Sequence, residues 1–173
     1  MRKLAAVLTL SCLPLAAAAQ SLVPAAPAGK ADPKAAFERL KGLAGEWTGE
    51  VKGVGPAAVT WRVISNGSAV VEEIFPGAEH EMMTVYTLDA GRLVATHYCG
   101  AGNQPRFALG PKSTAGELFL DFAGGANVKP EKDTHMHSGR IKFVDADQLE
   151  TEWSLWQGGK PAGAHVFVLS RKK

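Results

Sequence analysis

The chain has 173 residues, 46% of them hydrophobic and 21% charged, with 19 Lys+Arg against 17 Asp+Glu for a formal charge of +2. That length suits one domain rather than two, and the balance of apolar and charged residues excludes disorder over the whole chain. A charge this small also excludes binding by bulk positive potential, so no nucleic-acid partner is expected.

The first twenty residues differ from the rest. Arg2 and Lys3 form a short basic region, residues 4–15 are mostly apolar and uncharged, and Ala16-Ala17-Ala18-Ala19 supplies the small residues a signal peptidase needs. This order is that of a secretory signal peptide, cleaved near Ala19. The apolar run is too short for a stable transmembrane helix, so no lasting membrane insertion is expected. Cys12 ends that run as a lipid-attachment cysteine would, but Thr9 stands where lipoproteins carry an aliphatic residue, which favours cleavage over lipidation. The mature protein is expected in the periplasm or outside the cell. Cleavage removes two basic residues and no acid, so the mature chain is formally neutral. It also removes Cys12, leaving Cys99 alone, and an internal disulfide is then impossible.

Residues 21–32 are rich in Ala and Pro and read as a flexible leader, giving a signal peptide over 1–20, a leader over 21–32 and a folded domain over 33–173. Asp32-Pro33 starts a helix, with Asp as N-cap and Pro at the first helical position. Phe37, Leu40 and Leu43 give it one apolar stripe, and Gly42 and Gly45 end it. Beyond this point the pattern is strand and turn. Strands are expected over 46–52, 59–63, 68–75, 79–88, 92–99, 104–109, 117–123, 134–144, 148–156 and 164–171. Asn66-Gly67, Pro76-Gly77, Asp89-Ala90-Gly91, Gly124-Gly125 and Gly158-Gly159 punctuate them. About ten short strands without intervening helices exclude a parallel α/β sheet. The expected fold is all-β: a single antiparallel closed barrel of about ten strands, with the short helix plugging one end.

Gly45-Glu46-Trp47-Thr48-Gly49 after a short helix resembles the G-x-W opening of the calycin group, which includes lipocalins and fatty-acid-binding proteins, and that of nitrobindin-type barrels. The resemblance implies a basic residue on the last strand covering the opening Trp, and Arg171 stands at that place. The stretches Phe75-Pro76-Gly77, His80-Glu81-Met82, His97-Tyr98-Cys99, Gly102-Asn103-Gln104-Pro105-Arg106 and His135-Met136-His137 resemble those of an exported bacterial family without an established activity.

Five histidines fall in the mature chain: His80, His97, His135, His137 and His165. Alternation places His97 and Cys99 on the face opposite Arg92, and His80 on the more apolar face with Met82, Tyr86 and Leu88. Ile141 and Phe143 mark the inner face of the eighth strand, and a period of two carries His135 and His137 inward with them unless Gly139 marks a bulge. His165 has apolar neighbours on both faces, so its direction is open. His97, His135 and His137 converging in one cavity would suit zinc or another divalent metal. Nitrobindin-type resemblance implies haem on one axial His, but no single histidine stands out here, so haem ranks below a divalent metal. His97 with Cys99 is read as a buried pair rather than a nucleophile and its base. Arg106 is a candidate clamp for a carboxylate or phosphate, and Asp121 is either an outward acid or an inward partner of Arg106 or a histidine.

The expected ligand site is therefore His80, Tyr86, His97, Arg106, His135, His137 and Trp153, with Trp47 and Arg171 structural. The expected function is binding of a small molecule inside an exported barrel. The alternatives are a metal-dependent enzyme built on the His cluster and a structural or interaction domain of the cell envelope. The sequence leaves the oligomeric state open.

Overall fold

A computed structural model describes residues 30–173, so the signal-peptide reading and nearly all of the leader lie outside the described residues. The helix forms where the capping residues stand. Helix α1 spans Pro33–Lys41, the Asp32 carboxylate accepts a hydrogen bond from the Ala35 amide at 2.8 Å, and Gly42 ends it. Ahead of it, the Ala31 amide donates to the Ser113 carbonyl at 2.8 Å, tying the chain to the barrel before the helix begins.

Ten strands follow: β1 Gly45–Val51, β2 Gly55–Ile64, β3 Ala69–Ile74, β4 Met82–Asp89, β5 Arg92–Tyr98, β6 Gln104–Leu109, β7 Glu117–Ala126, β8 His135–Phe143, β9 Gln148–Gln157 and β10 Lys160–Arg171. Each pairs antiparallel with the next, and β10 pairs with β1 to close the barrel. The expected fourth strand begins three residues late, because residues 78–81 form a turn closed by the Glu81 amide on the Ala78 carbonyl and by the Glu81 carboxylate on the Gly77 amide. Closure leaves no unpaired edge.

Alternation sorts the side chains. Trp47, Val59, Trp61, Val70, Leu93, Phe107, Leu118, Leu120, Ile141, Leu149 and Leu169 are buried inside. On the outer face, Arg140 on β8 bonds Glu117, Glu150 and Glu152 on its neighbouring strands. Helix α1 closes one end, burying Ala36, Phe37 and Leu40. At that end the Trp47 indole donates to the Leu43 carbonyl at 2.8 Å. Arg171 lies 4.4 Å over the Trp47 ring and donates to the Ala44 and Gly42 carbonyls at 2.8 and 2.9 Å, satisfying acceptors at the helix C-terminus. One side chain thus joins the last strand, the first strand and the helix. Arg171→Ala should cost about 1–3 kcal/mol in urea denaturation. Arg171→Lys should recover less than half of it, since a single ammonium cannot hold two carbonyls and stack.

The opposite end carries the β1–β2, β3–β4, β5–β6, β7–β8 and β9–β10 connections, and it is not plugged by the helix. Three irregularities sit there, between Pro105 and Phe107, Met136 and Ser138, and Pro161 and Gly163. Bulges re-aim side chains, and these shape the candidate site.

Candidate functional site

The open end leads into a cavity of about 350 Å³. Its walls are Val51, Val54, Ile74, Phe75, Met82, Met136, Leu155 and Phe167, and its polar or titratable lining is His80, His97, Cys99, Trp153 and His165. The mouth is formed by turn residues, including Gly100 and Ala101. Phe75 holds a left-handed backbone, φ 56°, uncommon for an aromatic residue. The conformation is kept by its amide bond to the Ala58 carbonyl and by ring contacts to His80 and Phe167 at 4.7 and 5.8 Å.

His97 and Trp153 form the floor, with ring centroids 5.0 Å apart and nearly parallel. Trp153 fits there because β8 carries Gly139 opposite it: a Cβ at that position would stand 3.0 Å from the indole. His97 Nδ1 bonds the Thr84 hydroxyl at 2.9 Å. Burial pushes its imidazole down to about 4, so it is neutral at physiological pH. His97 Nε2 and Trp153 Nε1 are buried without a hydrogen-bond partner. Trp61 Nε1 and Asn103 Oδ1 share this state, and orphaned buried polar atoms are costly.

Beneath that floor lies a polar row. Trp61 on β2, Glu72 on β3, Thr84 on β4 and His97 on β5 stand directly opposite one another in successive strand pairs. All four are buried. The Glu72 carboxylate accepts from the Tyr86 hydroxyl at 2.8 Å, and Thr84 stands directly opposite it on β4. Among the described residues no cation reaches Glu72, and burial raises its carboxyl to about 7. The same burial, with the neighbouring Glu72, pushes the Tyr86 hydroxyl well above its ordinary range.

Of the residues expected at the site, His80, His97 and Trp153 line the cavity, and His165 joins them because it pairs with inward Trp153. Tyr86 points inward but is fully buried in the polar row, stacked on Trp61 at 5.6 Å, and does not reach the cavity. Arg106 is exposed, standing at the β6 irregularity between buried Pro105 and Phe107. Asp121 is exposed too, opposite Ser138 on the outer side.

The expected meeting of His97, His135 and His137 does not occur. His135 stands opposite Trp156 and Met136 opposite Leu155, and it is Met136 and Leu155 that line the cavity. The bulge between Met136 and Ser138 inserts one residue, so the inward run Gly139, Ile141, Phe143 continues into Met136. His135 and His137 form a separate cluster. The Asp133 carbonyl can only accept, so His135 Nδ1 carries the proton at 2.9 Å, and His135 Nε2 then accepts from His137 Nδ1 at 3.0 Å. His137 stacks on Trp156 and Phe122 at 3.7 and 4.8 Å. Burial first and His135 second lower its imidazole. Among the described residues, no three His, Cys, Asp or Glu side chains come close enough to hold a metal ion.

Glu72 is the residue the sequence reading passed over. Its signal was present: Glu72 and Glu73 are adjacent in a strand, so they must face opposite sides, and one of them is inside.

No family model and no curated protein matches the chain. Among solved structures, it is similar to a protein with unknown function from the DUF3598 family of Nostoc punctiforme, with a TM-score of 0.50 and 11% identity. The likeness covers 77% of this chain and 49% of that one, so this chain spans about half the length of its neighbour. At that identity the likeness is one of barrel fold alone.

Proposed function

We propose that this chain is an exported, calycin-like barrel that binds a small molecule in the cavity at its open end. The observation that carries the reading is the cavity itself, about 350 Å³ at the end the helix leaves open, with largely apolar walls over a floor of His97 and Trp153. Pockets of this kind recognise an apolar body by area and orient it by a few polar groups. A volume of about 350 Å³ suits a compact molecule of one or a few rings. Among the described residues, neither lysine nor arginine lines the cavity, and a formally neutral mature chain has no net charge for attraction, so a neutral or weakly charged ligand is favoured.

Gly100 offers a direct test. It stands at the mouth in an ordinary backbone conformation, and a Cβ there would stand 3.8 Å from the Met82 sulfur, so a side chain can be added toward the cavity without backbone strain. Protein purified from its own host should carry a non-covalent small-molecule adduct in native mass spectrometry. Gly100→Phe should lose that adduct while its melting temperature stays within about 4 °C. An adduct retained in full by Gly100→Phe would place the ligand elsewhere and contradict the reading.

A further inference from the structure

The barrel wall is not uniform where β7 meets β8. Their pairing runs from Glu117 opposite Lys142 to Asp121 opposite Ser138 and stops there. Beyond that point residues 122–126 stay with β6 and residues 135–137 with β9. Side chains fill the gap between them. His137 is stacked between Trp156 on β9 and Phe122 on β7, at 3.7 and 4.8 Å, with interplanar angles of 14° and 17°. His135 is fully buried beside them, its Nε2 bonded to His137 Nδ1 at 3.0 Å. Asn103 in the β5–β6 turn adds one tie, donating to the Thr134 carbonyl at 2.8 Å. The gap adjoins the cavity: Met136, between the two histidines, lines it, and Phe107 opposite Phe122 packs on Trp153 at 5.5 Å. We propose that His135 and His137 form an acid-released latch across this gap, so that the barrel wall beside the cavity opens when both imidazoles are protonated.

The latch depends on a single lone pair. The Asp133 carbonyl fixes the His135 proton on Nδ1, so His135 Nε2 keeps the lone pair that accepts from His137. A first added proton can go to His137 Nε2, which leaves that bond intact and puts an imidazolium between two aromatic faces. A second proton must take the His135 lone pair. Two imidazolium rings then meet N–H to N–H, with like charges, and one of them is fully buried. Burial first and His135 second already hold the His137 imidazole below its ordinary 6.5. The opened segment therefore binds protons before the closed one does, and the closure weakens as the pH falls below about 6.5. The charged groups at this end of the neighbouring elements are Arg106 on β6, Asp121 on β7, Arg140 on β8, Glu152 on β9, Lys160 on β10, and Lys129, Glu131, Lys132 and Asp133 in the β7–β8 connection. Among the described residues, none of these side chains bonds either ring: Arg140 holds Glu117, Glu150 and Glu152, and the Asp133 carboxylate accepts from the Lys129 amide at 2.7 Å. No carboxylate thus holds the pair together once it is charged.

Amide hydrogen exchange on the full chain, corrected for its intrinsic pH dependence, reads the latch whether or not the cavity is filled. Between about pH 7.5 and about pH 5, protection of residues 122–126 and 135–137 should fall about tenfold or more, while that of residues 45–51 beside the helix holds. His137→Phe keeps a ring in the stack and removes one of the two charges, so protection at its gap should change by less than about twofold over the same range. His135→Gln offers a carbonyl that accepts from His137 whatever the charge on that ring, and it should behave as His137→Phe does. Unchanged protection at the gap in the native protein would overturn the latch. So would an equal loss in both variants, or a loss shared by residues 45–51, which would be acid unfolding of the whole barrel.

Discussion

Glu72→Gln should leave the protein with a stability that falls steadily as the pH drops from about 6.5 to about 4, a slope that the native protein conceals. Two buried groups work against each other in the native fold. Burial holds the Glu72 carboxyl up at about 7, against an ordinary value of 4.5. The unfolded chain therefore releases that proton first, and stability present below about pH 4.5 is lost as the pH rises toward 7. Burial holds the His97 imidazole down at about 4, against an ordinary 6.5. The unfolded chain binds that proton first, and stability present above about pH 6.5 is lost as the pH falls toward 4. Each swing is at most about 3 kcal/mol, and the two nearly cancel over their shared window. Removing one exposes the other. Glu72→Gln should match the native protein near pH 4.5 and exceed its stability above pH 7, where the native fold buries a charge. His97→Gln should show the mirror image, losing stability as the pH rises from 4.5 to 7. Urea denaturation at several pH values reads all of this, with the double variant giving the flattest profile of the four proteins. Parallel profiles for all four would show that neither group titrates as its burial requires.

Gly49→Ala should be among the most damaging single-methyl additions in the chain. The residue lies in β1 opposite Leu169 on β10, at the seam that closes the barrel. A Cβ there would stand 1.9 Å from the Val168 carbonyl oxygen and 3.0 Å from the Leu169 Cα. Both are backbone atoms, so no side chain can move aside; the two strands must separate. Replacing a strand glycine by alanine ordinarily gains about 0.5–1 kcal/mol from backbone entropy. Here the sign reverses, with a loss of about 3 kcal/mol or more in the urea midpoint and a weakened near-ultraviolet signal from Trp47 next to the seam. Gly100→Ala is the matched control, because its nearest heavy atom is the flexible Met82 side chain at 3.8 Å. It should change stability by no more than about 0.5 kcal/mol. Equal effects at the two positions would contradict the close approach of β1 and β10.

The barrel was legible because turn chemistry is local. Asp32-Pro33 announces the helix, and Asn66-Gly67 and Gly158-Gly159 each occupy positive-φ positions between paired strands. The site was less legible, because alternation is only as good as its register. A one-residue bulge at His137 put Met136 inside and both neighbouring histidines elsewhere, and nothing but Gly139 nearby hints at it. His80 was assigned a face within a strand, but it lies in the turn before Met82 and reaches the cavity from its rim. The direction of His165 could not be read from Val166 and Phe167, both apolar, and pairing with Trp153 decides it. Depth was unreadable altogether: Tyr86 and Trp153 both face inward, yet one lies under the floor and the other forms it. Those differences follow from how far along each strand a residue sits relative to the helix-plugged end, which only the assembled barrel defines.

The central claim is that the open end of this barrel is a ligand site, and a crystal structure of protein purified from its own host tests it most directly. The expected result is density for a small molecule between Phe75, His97 and His165. A cavity that is empty, or filled by the chain's own side chains, would contradict it.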